Sequence, residues 1–179
     1  MNRIKQVIVL CILLVLPLLS VAGWLDQSGN PLPDTDARKS IGKLGVNLLL
    51  TNKEKEAQNK SKAPSSGGNP DTIDKIKRNE FITALLLFSG CGVDEKGNCD
   101  LLVKYKILQP DGKVYADIPV QKAWAGKPPA DNDLQVSKAY IKIRIENKEP
   151  LGVYQVMADV VDKVSGESLS LLTKFEAIE

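Results

Sequence analysis

The sequence predicts an all-β chain: an antiparallel two-sheet sandwich of about seven strands, preceded by a cleaved signal peptide. Three observations predict it. From residue 81 onward, apolar residues recur at every second position in several runs, the period of a strand with one buried face. Glycine, proline, asparagine and aspartate punctuate these runs at even intervals, as turns do in sandwiches. Few stretches carry a helical period, which leaves packed sheets as the economical way to bury the apolar faces.

The chain starts basic at Arg3 and Lys5, is apolar over residues 7–19, and then reads Ser20, Val21, Ala22. Small residues at the third-last and last positions suit a signal peptidase, which places cleavage after Ala22 and makes residues 1–22 the signal peptide. Pro17 interrupts the run, which also falls short of the roughly 20 apolar residues of a bilayer span. No stable membrane insertion is therefore expected after cleavage. Cys11 lies mid-run behind Val9 and Leu10 rather than behind a small residue, which argues against lipidation there.

Residues 23–40 are rich in turn formers and read as an N-terminal tail. Residues 41–179 read as the sandwich domain. Its first strand is "KLGVNLLLT" at 43–51, followed by residues 52–72, which lack aromatic residues and, before Thr72, β-branched ones. Such a stretch buries too little apolar area to offset its ordering entropy, so it reads as a flexible loop. A loop that long inside one domain is either functional or an insertion.

"EFITALLLFS" at 80–89 is nearly continuous in apolar residues, as a central strand is. "LLVKYKIL" alternates, with Leu101, Val103, Tyr105 and Ile107 sharing a face. "QPDGK" turns the chain, "IPVQKAW" is the next strand, and "GKPPADND" is a loop. "AYIKIRIE" places Ile141, Ile143 and Ile145 together, "VYQVMADVV" does the same with Tyr154, Val156, Ala158 and Val160, and "LSLLTKFEA" with Leu169, Leu171 and Phe175.

Cys91 and Cys99 remain after cleavage, with seven residues between them. An even cysteine count in an exported chain favours a disulfide, and this spacing is not that of a redox-active CxxC pair. The whole chain holds 24 basic and 22 acidic residues; Arg3 and Lys5 fall in the leader, which has no acid, leaving 22 of each. That balance supplies no electrostatic footprint for nucleic acid.

The chain contains no histidine, which removes Ser-His-Asp and Cys-His catalysis and most zinc enzymes. "SIGK" at 40–43 has the SxxK spacing, but its SDN and KTG companions are absent. Asp94, Asn98 and Asp100 offer oxygen ligands beside the cysteines, yet not at the positions an EF-hand requires. They read as a solvated hairpin tip. Trp124 closes an alternating run before "AGKPP", where its ring could edge the core or contact a ligand. Asn59, Lys60 and Ser61 spell a glycosylation sequon.

The stretch "EPLGVYQVMADVVD" followed by "SGESLSLLTKFEA" resembles the closing F and G strands of immunoglobulin-like domains. The resemblance implies that Tyr154 is a tyrosine-corner residue with its hydroxyl on nearby backbone, that Val156 stands where antibody domains place a cysteine, and that Tyr105 replaces the tryptophan of strand C. With "FSGC", "GNCD" and "PDGK", the chain is also similar to small envelope proteins of Gram-negative bacteria. That similarity implies a secreted immunoglobulin-like fold and brings no activity with it.

These readings lead to an expectation of a non-enzymatic module in the periplasm or secreted, without cofactor or metal, that binds a protein partner of the cell envelope. Residues 52–72 or an exposed sheet edge would make the contact. The alternative is a carbohydrate-binding module or a carboxylate-based glycan hydrolase, resting on Trp124 and the acidic loop.

Overall fold

The computed structural model describes residues 24, 25, 28, 30–53, 72–130 and 133–179. The segment read as a signal peptide, the sequon and nearly all of the segment read as a 52–72 loop lie outside the described residues. What is described is all-β, with two facing sheets around one core, so the predicted antiparallel sandwich holds.

Twelve strands follow in order: β1 Trp24–Leu25, β2 Pro31–Leu32, β3 Arg38–Ile41, β4 Leu44–Thr51, β5 Lys75–Lys77, β6 Phe81–Ser89, β7 Cys99–Leu108, β8 Val114–Asp117, β9 Gln121–Gly126, β10 Gln135–Arg144, β11 Gly152–Asp162 and β12 Ser168–Ile178. One sheet runs β10-β6-β4-β3. The other runs β5-β12-β11-β7-β8, with β9 also on β7, and β1 pairs β2 separately. All pairings are antiparallel except β5 with β12.

The period-two faces are the buried ones. On β7, Cys99, Leu101, Val103, Tyr105 and Ile107 point into the core, and their neighbours are half-buried. They meet Ile141, Ile143 and Ile145 of the opposite sheet in a single cluster with Tyr154, Val156 and Phe175. Tyr154 and Phe175 stack there with centroids 5.3 Å apart. Burying such side chains stabilises by about 1.5–3 kcal/mol each relative to leaving them in water.

The two sheets hold ten strands rather than about seven. The additions β3, β5 and β8 are short edge strands, whose pairing depends on distant partners rather than on an apolar run of their own. β3 lies mostly in the segment read as tail; its Arg38 pairs in register with Asn47. The strand read from "IPVQKAW" is displaced, because Pro119 has no N–H for the ladder. β8 therefore stops at Asp117 and β9 starts at Gln121. β10 starts earlier than its alternation suggests, and a register shift separates Val136 from Tyr140.

Candidate functional site

The sandwich has two distinct ends. At one, Cys91 and Cys99 form a disulfide with Cα atoms 6.0 Å apart, joining the end of β6 to the start of β7. Inside the loop, Asp94 Oδ1 accepts the N–H groups of Lys96 at 2.9 Å and Asn98 at 2.8 Å. Lys127 Nζ donates to the Lys96 carbonyl at 2.7 Å, and Asp100 is paired with Lys122 of β9. The acids that suggested a cation site are thus engaged by the protein's own donors. Among the described residues, no group of three His, Cys, Asp or Glu side chains is arranged to hold a metal ion.

Asp162, at the end of β11, ties this loop to the β11–β12 turn. It is fully buried. Its Oδ2 accepts from Gly92 N at 2.5 Å, and Oδ1 from Val164 N at 2.9 Å and Ser165 N at 3.2 Å. Sequence reasoning passed over this residue. The only local signal was an aspartate opening the turn "DKVSGE", a position where its side chain commonly bonds backbone two residues on.

Trp124 sits at the edge of the core. Its ring packs on Phe88 with centroids 5.5 Å apart, Lys138 Nζ stands 4.7 Å from the ring centroid, and Nε1 donates to the Lys127 carbonyl at 2.9 Å. A stacked sugar would have to displace Lys138 from that face. Tyr105 is buried and donates to the Ala139 carbonyl at 3.2 Å, which also accepts Ser137 Oγ at 2.5 Å beside the β10 register shift. Tyr154 Oη donates to the Pro150 carbonyl at 2.8 Å, four residues upstream. These tyrosines and Trp124 do not converge on one place.

The opposite end carries a concavity. Where β10, at the edge of the four-stranded sheet, parts from β8, a cavity of about 350 Å³ opens. Its lining includes Phe81, Ile118, Ile141, Ile143 and Tyr115, with Lys142 and Arg144 along β10. Phe81 is 53 % exposed at the mouth, with the Arg144 guanidinium 5.3 Å from its ring. Arg144 is also paired with Glu146 at 2.6 Å.

The floor is fixed by polar bridges. Tyr115 Oη lies 3.0 Å from the Arg144 carbonyl and 3.1 Å from Glu149 Oε2, so one phenol spans both sheets. Burial, with the Glu149 carboxylate adding to it, pushes the Tyr115 phenol well above its usual range. Arg78 Nη1 donates to the carbonyls of Glu146 at 2.7 Å and Glu149 at 2.8 Å, pinning the β10–β11 turn. Neither Arg78 nor Tyr115 stood out in the sequence, because each acts on residues far away along the chain.

No family model and no curated protein matches the chain. Solved structures similar to it include the alkylpurine DNA glycosylase AlkC of Pseudomonas fluorescens, 18 % identical over 76 % of this chain and 30 % of that one, with a TM-score of 0.41. A family 123 glycoside hydrolase from Clostridium perfringens is 9 % identical over 75 % of this chain and 27 % of that one, at 0.42. The chain thus spans less than a third of either protein. The CARDB domain of the PF1109 protein from Pyrococcus furiosus is 11 % identical over 82 % of this chain and 98 % of that one, at 0.37. Likeness at this level carries no argument about what this chain does.

Proposed function

We propose that this is a non-enzymatic, exported β-sandwich module that binds a protein partner in the cell envelope, and that it does so through the groove between β10 and β8. The observation that carries the reading is the groove itself. Ile141 and Ile143 alternate along its floor, Phe81 stands exposed at its mouth, and one wall is an edge strand that, among the described residues, pairs with β6 alone. A groove of that kind suits an extended segment with apolar side chains at alternate positions, the recognition mode of strand addition. Export rests on the basic-apolar-small pattern of residues 1–22.

The test is affinity capture with immobilised 23–179 from envelope extract, beside Phe81→Asp, Ile118→Asp and a Lys174→Ala control on β12. The captured protein is then titrated in purified form by calorimetry. Binding lost in both groove variants and kept in the control supports the reading. Equal binding by all four, or recovery no greater than by denatured protein, removes it.

A further inference from the structure

β10 presents two kinds of side chain where it borders the groove. Ile141, Ile143 and Ile145 are buried, while Tyr140, Lys142 and Arg144 between them are exposed. Register fixes what stands beside those exposed residues on β6: Leu85, Thr83 and Phe81 in turn, none of them charged. Among the described residues that line the groove, Glu146 is the one acid, and Arg144 holds it at 2.6 Å in an exposed pair. Glu149, nearby, is taken up by the Glu146 N–H and the Tyr115 hydroxyl. Both acids thus belong to the β10–β11 turn, and the strand around Lys142 is cationic.

The edge available to a partner is short. Toward its start the ladder shifts register between Val136 and Tyr140, and Lys138 lies over the Trp124 ring of β9. Toward its end the Tyr115 hydroxyl lies on the Arg144 carbonyl, which therefore faces the β8 side, whereas the Ile145 carbonyl accepts Asn79 N at 2.9 Å on the β6 side. Alternation along a strand turns the backbone groups of Tyr140 and Lys142 toward the groove as well. Residues 140–144 span roughly 17 Å, the length of a five-residue strand. A second copy of the chain does not suit this edge. Antiparallel pairing of β10 with itself, isoleucine face to isoleucine face, sets Lys142 opposite Lys142, Lys142 opposite Arg144, or Arg144 opposite Lys138, depending on register. Like charges directly opposite are destabilising, and cations on an edge strand guard against such self-pairing.

We infer, building on the groove reading above, that the partner segment carries an acidic residue flanked on both sides by apolar ones. Its apolar side chains lie opposite Ile141 and Ile143, and its carboxylate lies opposite Lys142, within diagonal reach of Arg144. Opposite Arg144 itself a second acid gains little, because Glu146 already supplies a carboxylate there. A cross-strand pair of opposite charge favours the acid over a neutral residue by up to about fivefold, and salt weakens that preference because the pair is exposed.

The test selects a random nonapeptide library, displayed on phage, on immobilised 23–179, which holds every described residue, after depletion on Phe81→Ser. Phe81 is 53 % exposed, so that variant keeps the fold. The expected winners alternate apolar residues and carry Asp or Glu between two of them. A synthetic winner, followed by fluorescence anisotropy, should bind about fivefold more weakly to Lys142→Thr, and as much more weakly when its own acid becomes threonine. The two changes together should add little to either alone, and Lys174→Thr on β12 should change nothing. Winners that alternate without an acid, or whose affinity is indifferent to Lys142→Thr or to loss of the acid, overturn this inference and leave the groove reading standing. Winners without alternation, or none surviving the depletion, overturn both.

Discussion

The buried Asp162 carboxylate accepts the backbone N–H of Gly92 at 2.5 Å, across 70 residues of sequence. This bond joins the disulfide loop to the β11–β12 turn, and the same side chain also satisfies Val164 N and Ser165 N. Removing it strands three N–H groups in a buried site, where an unmet donor costs more than the bond contributed. Asp162→Ala is therefore expected to lower stability by about 3 kcal/mol or more. Asp162→Asn keeps one acceptor oxygen but turns an amide donor toward another donor, and should lose less. Urea unfolding with unchanged m-values checks both; a loss below about 1 kcal/mol for the alanine variant would contradict this role.

Glycine matters most where φ and space are both restrictive. Gly90 has φ of +62°, and a Cβ there would press into the Lys43 carbonyl oxygen. Gly112 has φ of +83° but open space around it. Gly90→Ala is expected to cost about 3 kcal/mol, against about 1 kcal/mol for Gly112→Ala, which bears only the left-handed backbone penalty. Thermal unfolding of the pair separates clash from conformation, and equal losses would mean that the Lys43 carbonyl moves aside freely.

The long strands were legible because burial and sequence share one period. Leu101, Val103, Tyr105 and Ile107 alternate with polar or half-buried residues, and the sheet buries that set. β5 was not legible: its single buried residue, Ile76, has no apolar period, and its place is set by parallel pairing with the end of β12. The continuous run of β6 read as a central strand, but nothing local revealed that its outer face is buried as well. The Cys91–Cys99 pair was readable from cysteine count and compartment, whereas Asp94 and Asp100 looked available until the loop showed which N–H and lysine groups engage them. The groove arises between β8 and β10, neighbours only in space.

The disulfide and the groove occupy opposite ends of one strand. Phe81 opens β6, and Cys91 lies just beyond its end, roughly 30 Å away for an extended chain. Replacing both cysteines by alanine frees a short loop in the unfolded chain and is expected to lower stability by roughly 2–3 kcal/mol. Affinity for a groove-bound partner should not change. Calorimetric titration of the double variant beside Phe81→Asp checks this, and lost affinity with stability retained would move the contact to the disulfide loop.

Alkaline pH should unfold the protein through its tyrosines. Burial raises the Tyr105 phenol; burial, then Glu149, raises Tyr115; and burial with Glu149 also raises Tyr154. A phenol whose folded pKa exceeds its unfolded value of about 10 keeps its proton longer in the native state. Between those two values the unfolded chain binds fewer protons, so stability falls as pH rises. This contribution is fully present below about pH 10 and is lost progressively above it. Tyrosinate absorbance and far-ultraviolet circular dichroism, followed together from neutral pH upward, are expected to show these phenols ionising in step with loss of sheet. In Tyr115→Phe the floor loses its bridge to Arg144 and Glu149 along with one of the three shifted groups. That variant should be less stable at neutral pH yet show a shallower decline above pH 10. Full tyrosine ionisation with the sheet intact would contradict the burial of these hydroxyls.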